Sequence, residues 1–155
     1  MKTLVIGYGN NSRRDDGVGW YVIDRLRERG LPGVDLLTEH QLEVDLAETI
    51  REYDVVIFVD AAIPTAPHRI ERQAVRPQQQ SHAVAHYLTP ADLLALCQTL
   101  YGVQPVGFLF SIRGENFHFG ETLSPAVAEA AGEVVREIRQ MVALLEPTKP
   151  VAVHA

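Results

Sequence analysis

The run DVVIFVD, from Asp54 to Asp60, sets five apolar residues between two aspartates and decides how the rest of the chain is read. Strict alternation would mark a strand with one wet face. A continuous Val-Val-Ile-Phe-Val run instead marks a strand covered by helices on both faces, as central parallel strands are. Asp60 then stands at the carboxyl edge of that strand, where open α/β sheets place their ligands. Upstream, Lys2 to Gly7 is a second short apolar run ending in glycine. Val18, Val22, Ile23 and Leu26 follow on one helical face before Gly30 and Pro32 stop it. Val34 to Thr38 reads as another strand, followed by a helix with Leu42, Leu46 and Ile50 in register. Two βα units and a third strand predict an open α/β sheet.

Downstream of Asp60 the regularity lapses. Arg69 to Val75 reads as an edge strand and Pro77 to His86 as a polar loop, of a length that is often functional. Thr89-Pro90-Ala91-Asp92 is a helix start, with Thr89 as N-cap, Pro90 at the first helical position and Asp92 three residues after the cap. That helix is predicted to run to Tyr101 and stop at Gly102. Val106 to Ile112 is the last strand. Ser124-Pro125 opens a final amphipathic helix carrying Val127, Ala131, Val134, Ile138, Met141 and Leu145. A single domain over residues 1–146 with a loose tail over 147–155 is the expected organisation.

The 155 residues are 46% apolar and 22% charged, enough for one buried core. A formal charge of -6, with arginines scattered among acids, speaks against nucleic acid as a partner. Cys97 is the only cysteine, in an apolar stretch, so it builds neither a disulfide framework nor a thiolate zinc site. The first residues lack a signal-peptide pattern and no stretch has the roughly 20 apolar residues of a membrane span. A cytoplasmic protein without a membrane partner is expected.

Gly7 to Trp20, GYGNNSRRDDGVGW, begins like a phosphate-cradling loop. A dinucleotide fingerprint needs a third glycine where this chain has Ser12, and Asp15 and Asp16 put negative charge where a phosphate would sit. Asp15 is read as the N-cap of the helix that follows. If the first and third strands are neighbours, Asp16 meets Asp60 over a crevice. Two close carboxylates repel, which a shared proton or a bound cation relieves. Among the six histidines, His68, His118 and His154 read as peripheral, and His40 follows the second strand at the same edge. His82 and His86 lie in the polar loop, and spacing does not choose between them. Two carboxylates and an imidazole suit nickel or zinc better than magnesium.

LVIGYGNNSRRDDGVG resembles the opening of the nickel–iron hydrogenase maturation endopeptidases: a strand, G-x-G-N, a short polar stretch, then D-[DE]-G-x-G. The resemblance continues through VIFVDAA, HYLTPADLLAL and GETLSPAV, in order, over nearly the whole chain. It implies a three-layer α/β sandwich, with a twisted, mostly parallel five-stranded sheet flanked by helices on both faces. It implies Asp16, Asp60 and His86 as both catalytic residues and metal ligands, and so settles the histidine. The implied activity is removal of a C-terminal extension from the hydrogenase large-subunit precursor after nickel insertion, the nickel being carried by that substrate. Hydrolysis would use metal polarisation or, in aspartyl-protease manner, a carboxylate-activated water. No G-x-S-x-G elbow or Cys/His pair offers another route. Glu39 to Leu42, EHQL, resembles the subgroup serving bidirectional NAD(P)-linked hydrogenases, and NNSRR departs from the family's small residues at Arg13 and Arg14. The chain is expected to act as a monomer. A non-catalytic nickel-binding chaperone using the same ligands is the alternative, and a nucleotide-binding protein built on Gly7 and Gly9 the third reading.

Overall fold

The computed structural model describes residues 1–78 and 88–145. Its elements follow in the order β1 (Thr3–Tyr8), a 3-10 turn (Arg14–Gly17), α1 (Val18–Arg29), β2 (Val34–Glu39), α2 (Leu46–Ile50), β3 (Val55–Ala62), β4 (Ile70–Val75), α3 (Pro90–Tyr101), β5 (Val106–Arg113) and α4 (Pro125–Leu145). The five strands form one sheet in the order β2-β1-β3-β5-β4. All neighbours are parallel except β4, which runs antiparallel to β5 at the edge. The three-layer α/β sandwich expected from the sequence is the observed architecture.

Its layers follow from the alternation within β3. Val55, Ile57 and Val59 face a core shared with α1 and α4 residues such as Val22, Leu26, Val134 and Ile138. Val56 and Phe58 face the opposite core, with Leu46 and Ile50 of α2 and Leu93, Leu94 and Cys97 of α3. Both faces are dry, which is why the strand could read as a continuous apolar run. Each fully buried large side chain, Phe58 among them, contributes about 1.5–3 kcal/mol of transfer free energy.

Helix boundaries match local chemistry. Thr89 accepts from Asp92 N–H at 3.1 Å while the Asp92 carboxylate accepts from Thr89 N–H at 2.9 Å, a complete capping box ahead of Pro90. Gly102 closes α3 in the left-handed region, φ 67°. One expectation needs correction: the helix after β2 covers only Leu46–Ile50, and Leu42 reaches the same core from the preceding loop. Burial at four-residue spacing satisfies the pattern without a continuous helix.

α1 lies close against the sheet because two glycines meet there. A Cβ on Gly7 would collide with the Gly19 carbonyl, and one on Gly19 would lie 2.6 Å from the Val59 carbonyl oxygen. Gly7 belongs to β1 itself, so its missing side chain serves helix packing rather than the turn. Gly19 takes over the packing role that a dinucleotide fingerprint gives its third glycine.

Candidate functional site

β1 connects to β2 on one side of the sheet, and β3 and β5 continue on the other, so the strand order reverses between β1 and β3. Such a switch point leaves a crevice at the carboxyl ends of the strands. β1 stops at Tyr8, while β3 continues through Ala62, paired with β5 as far as Arg113. Asp60 is therefore not the last residue of its strand, as the sequence suggested. It is the first beyond the paired partner on its β1 flank, the last β1 pair being Gly7 with Val59.

Above it opens a cavity of about 600 Å³ lined by Asp16 and Asp60 with Tyr8, Asn10, Arg13, His40 and Gln41, over an apolar floor that includes Leu42, Leu88 and Leu109. Asp16 arrives by a chain of main-chain bonds. Gly9, at φ 141°, turns the backbone as its N–H donates to the Glu39 carbonyl at 3.0 Å. The side-chain oxygen of Asn10 accepts from Ser12 N–H at 2.9 Å, fixing the turn. The Asn10 N–H then donates to Asp16 Oδ2 at 2.8 Å. Trp20 buttresses the turn, its indole N–H shared between the carbonyls of Gly9 and Glu39.

Asp60 is similarly held, with Oδ1 accepting from Ala61 N–H at 2.7 Å. Burial pushes its carboxyl up to about 7, opposed by the Ala61 N–H and the Tyr8 hydroxyl and reinforced by the charge of Asp16. Burial, then the charge of Asp60 and its hydrogen bond, push the Tyr8 phenol far up in turn. Tyr8 is a site residue that the sequence reading missed. Its signal lay in the period of two: Leu4, Ile6 and Tyr8 share a sheet face with Phe58 and Asp60, and the Tyr8 and Phe58 rings meet edge to face at 6.5 Å.

The neighbouring acid does something else. Asp15 was expected to cap α1, but Gly17 occupies that position and no side chain caps it. The buried Asp15 carboxylate accepts N–H bonds from Glu115, Asn116 and Ser124 and the Ser124 hydroxyl, all at 2.7–2.8 Å. A 3-10 turn sends adjacent side chains in different directions, and this one aims Asp15 away from the cavity into the loop before α4. Ser124, which the sequence places at the start of the last helix, gives its hydroxyl to Asp15.

The structure thus brings Asp16 and Asp60 to one cavity, with His40 on its wall. His86 and His82 lie outside the described residues, as does His154. Each aspartate keeps one carboxylate oxygen on a main-chain N–H, and Asp60 also accepts from the Tyr8 hydroxyl. Among the described residues no cluster of three or more His, Cys, Asp or Glu side chains could hold a metal. Cys97 is buried against the Ala47 carbonyl at 3.3 Å and takes no part. No helix among the described residues is long and apolar enough to cross a membrane.

No family model and no curated protein sequence matches the chain. Solved structures do. A hydrogenase 2 maturation peptidase from Thaumarchaeota archaeon SCGC_AB-539-E09 is 25% identical, with a TM-score of 0.70 over 93% of this chain and 99% of that one. The [NiFe] hydrogenase maturation protease HycI from Thermococcus kodakarensis KOD1 is 23% identical, with a TM-score of 0.70 over 92% of each chain. The hydrogenase maturating endopeptidase HybD from E. coli is 18% identical, with a TM-score of 0.75 over 93% of each. This chain shares the fold of these [NiFe] hydrogenase maturation proteases over nearly its whole length, and the motifs around Gly7 to Gly19 and Gly120 to Val127 are where its sequence resembles that family.

Proposed function

We propose that this chain is an endopeptidase that removes the C-terminal extension of a nickel–iron hydrogenase large-subunit precursor once nickel has been inserted. The observation that carries this reading is the pairing of Asp16 and Asp60 over one cavity, in the fold of proteins that are themselves maturation proteases. Asp16, Asp60 and His86 engage the nickel that the precursor carries, which makes the loaded metal the checkpoint for cleavage. Two hard carboxylate oxygens and one imidazole form a donor set that nickel accepts.

Peptide hydrolysis needs a base, and the Asp60 carboxylate beside the scissile bond is assigned that role. It takes a proton from water; the hydroxide adds to the scissile carbonyl, the C–N bond breaks, and the proton passes to the departing amine. His40, Gln41 and Leu42 line the same cavity, which supports assigning the EHQL loop to substrate choice; the resemblance of that loop to the bidirectional subgroup is what assigns the substrate to an NAD(P)-linked hydrogenase.

Mass spectrometry of the large subunit, co-expressed with and without this protein, tests the reading. Loss of the mass of a short C-terminal peptide only when the protein is present is the expected result. An unchanged precursor that nonetheless acquires nickel from this chain would make it a chaperone instead. Efficient cleavage of nickel-free precursor would remove the checkpoint and leave the peptidase.

A further inference from the structure

We propose that Arg13, seated on the ring of Phe119, is a substrate-binding residue that holds a main-chain oxygen of the peptide entering the Asp16 and Asp60 cavity. This rests on the peptidase reading above. The guanidinium lies 4.3 Å from the centroid of the Phe119 ring. Two main-chain bonds, from Arg14 N–H to the Gly120 carbonyl and from Gly120 N–H to the Ser12 carbonyl, both 2.9 Å, bracket that contact and pin one loop to the other. The pair is therefore placed by backbone, not by a chance meeting of two surface side chains.

Three features turn this placement into a binding role. Arg13 is the only lysine or arginine among the described residues lining the cavity. It has no ion pair with any described residue, although arginines elsewhere on the surface do. Stacking occupies the face of the guanidinium and leaves its edge, a fork of N–H donors, for oxygen acceptors. A cavity with two aspartates offers a peptide carbonyl no other cationic donor among its described walls, and a neutral carbonyl avoids the repulsion that an acidic side chain would meet there. Phe119 is 74% exposed, so the ring also presents an apolar surface to the residue beside the held carbonyl. The occupant is thus an extended peptide segment, gripped through its main chain at the rim while the scissile bond lies deeper.

Steady-state processing of nickel-loaded precursor by the full chain tests this, comparing wild type with Arg13→Gln, Arg13→Lys and Phe119→Leu. Loss of one charge-assisted hydrogen bond is expected to raise KM about 10-fold or more in Arg13→Gln while kcat stays within about 2-fold. Arg13→Lys keeps the charge without the flat fork and recovers part of the loss. Phe119→Leu leaves the cation without its platform and raises KM by about 3-fold. Should Arg13→Gln fold poorly, the same split is read from Arg13→Lys. A KM unchanged in every variant, or a fall in kcat alone, overturns the proposal while the peptidase reading stands. A wild-type protein that leaves the precursor intact overturns both.

Discussion

Asp15 and Asp60 are both carboxylates held inside the same domain, and their surroundings push them in opposite directions. Burial raises the pKa of each. At Asp15 three main-chain N–H groups and a serine hydroxyl outweigh that effect and hold the carboxyl below its usual range. At Asp60 one main-chain N–H and a phenol do not, and the charge of Asp16 adds to the rise. The number of donors facing each carboxylate, with the heavier desolvation and neighbouring charge at Asp60, separates the two. Asp16 shows how little chain distance matters: one residue from Asp15, it belongs to the cavity.

The largest effect expected from this contrast is on chemistry. Asp16→Asn and Asp60→Asn should each lower precursor processing by about 100-fold or more, since they remove a reacting or metal-reading carboxylate. Their melting temperatures should stay at or above that of the wild type. Processing near the wild-type rate in both variants would move the site away from this cavity.

Asp15→Asn should act on stability instead. An amide offers one acceptor and turns a donor toward N–H groups that expect oxygen, at a cost of about 2–4 kcal/mol. Because the folded carboxyl is held low, its contribution is present above the ordinary aspartate range and is lost as pH falls through the folded value. Urea unfolding should therefore show the gap between wild type and variant closing in acid. A gap that is the same at all pH values would mean that packing, not charge, is what Asp15 supplies.

Asp60→Asn should have a smaller effect of opposite sign on the metal-free protein. Below the ordinary aspartate range Asp60 is protonated whether folded or not, and it costs nothing. As pH rises toward about 7 the unfolded chain ionises it while the fold resists, so stability falls, and above that the whole penalty stands. The variant should gain about 2 kcal/mol over wild type at pH 8, after allowance for solvent at the cavity mouth, and nothing near pH 3. Unfolding in the presence of a chelator at the two pH values reads the difference. Smallest of all, Tyr8→Phe removes a hydroxyl that lowers the Asp60 pKa, so carboxyl carbon NMR should report Asp60 titrating higher than in wild type.

Much of this molecule was legible in the chain. Apolar runs located β1, β3 and β5, and the Thr89 capping box with Gly102 fixed both ends of α3, because these signals depend on nearest neighbours and on which faces are dry. Asp16 and Asp60 were legible as partners once β1 and β3 were taken as adjacent. The roles of Asp15, Tyr8 and Arg13 were not.

Sequence by itself determined the class of fold, the position of the two acids at the carboxyl edge and the family resemblance, since strand pattern and motif spacing are local and written in order. Tertiary structure alone decided which of two adjacent aspartates faces the cavity. It also set the loop that satisfies the other and the ring on which Arg13 rests. Those choices depend on residues about a hundred positions away, from Glu115 to Ser124, whose N–H groups and aromatic face exist as partners only after β5 and α4 have packed against the first βα unit.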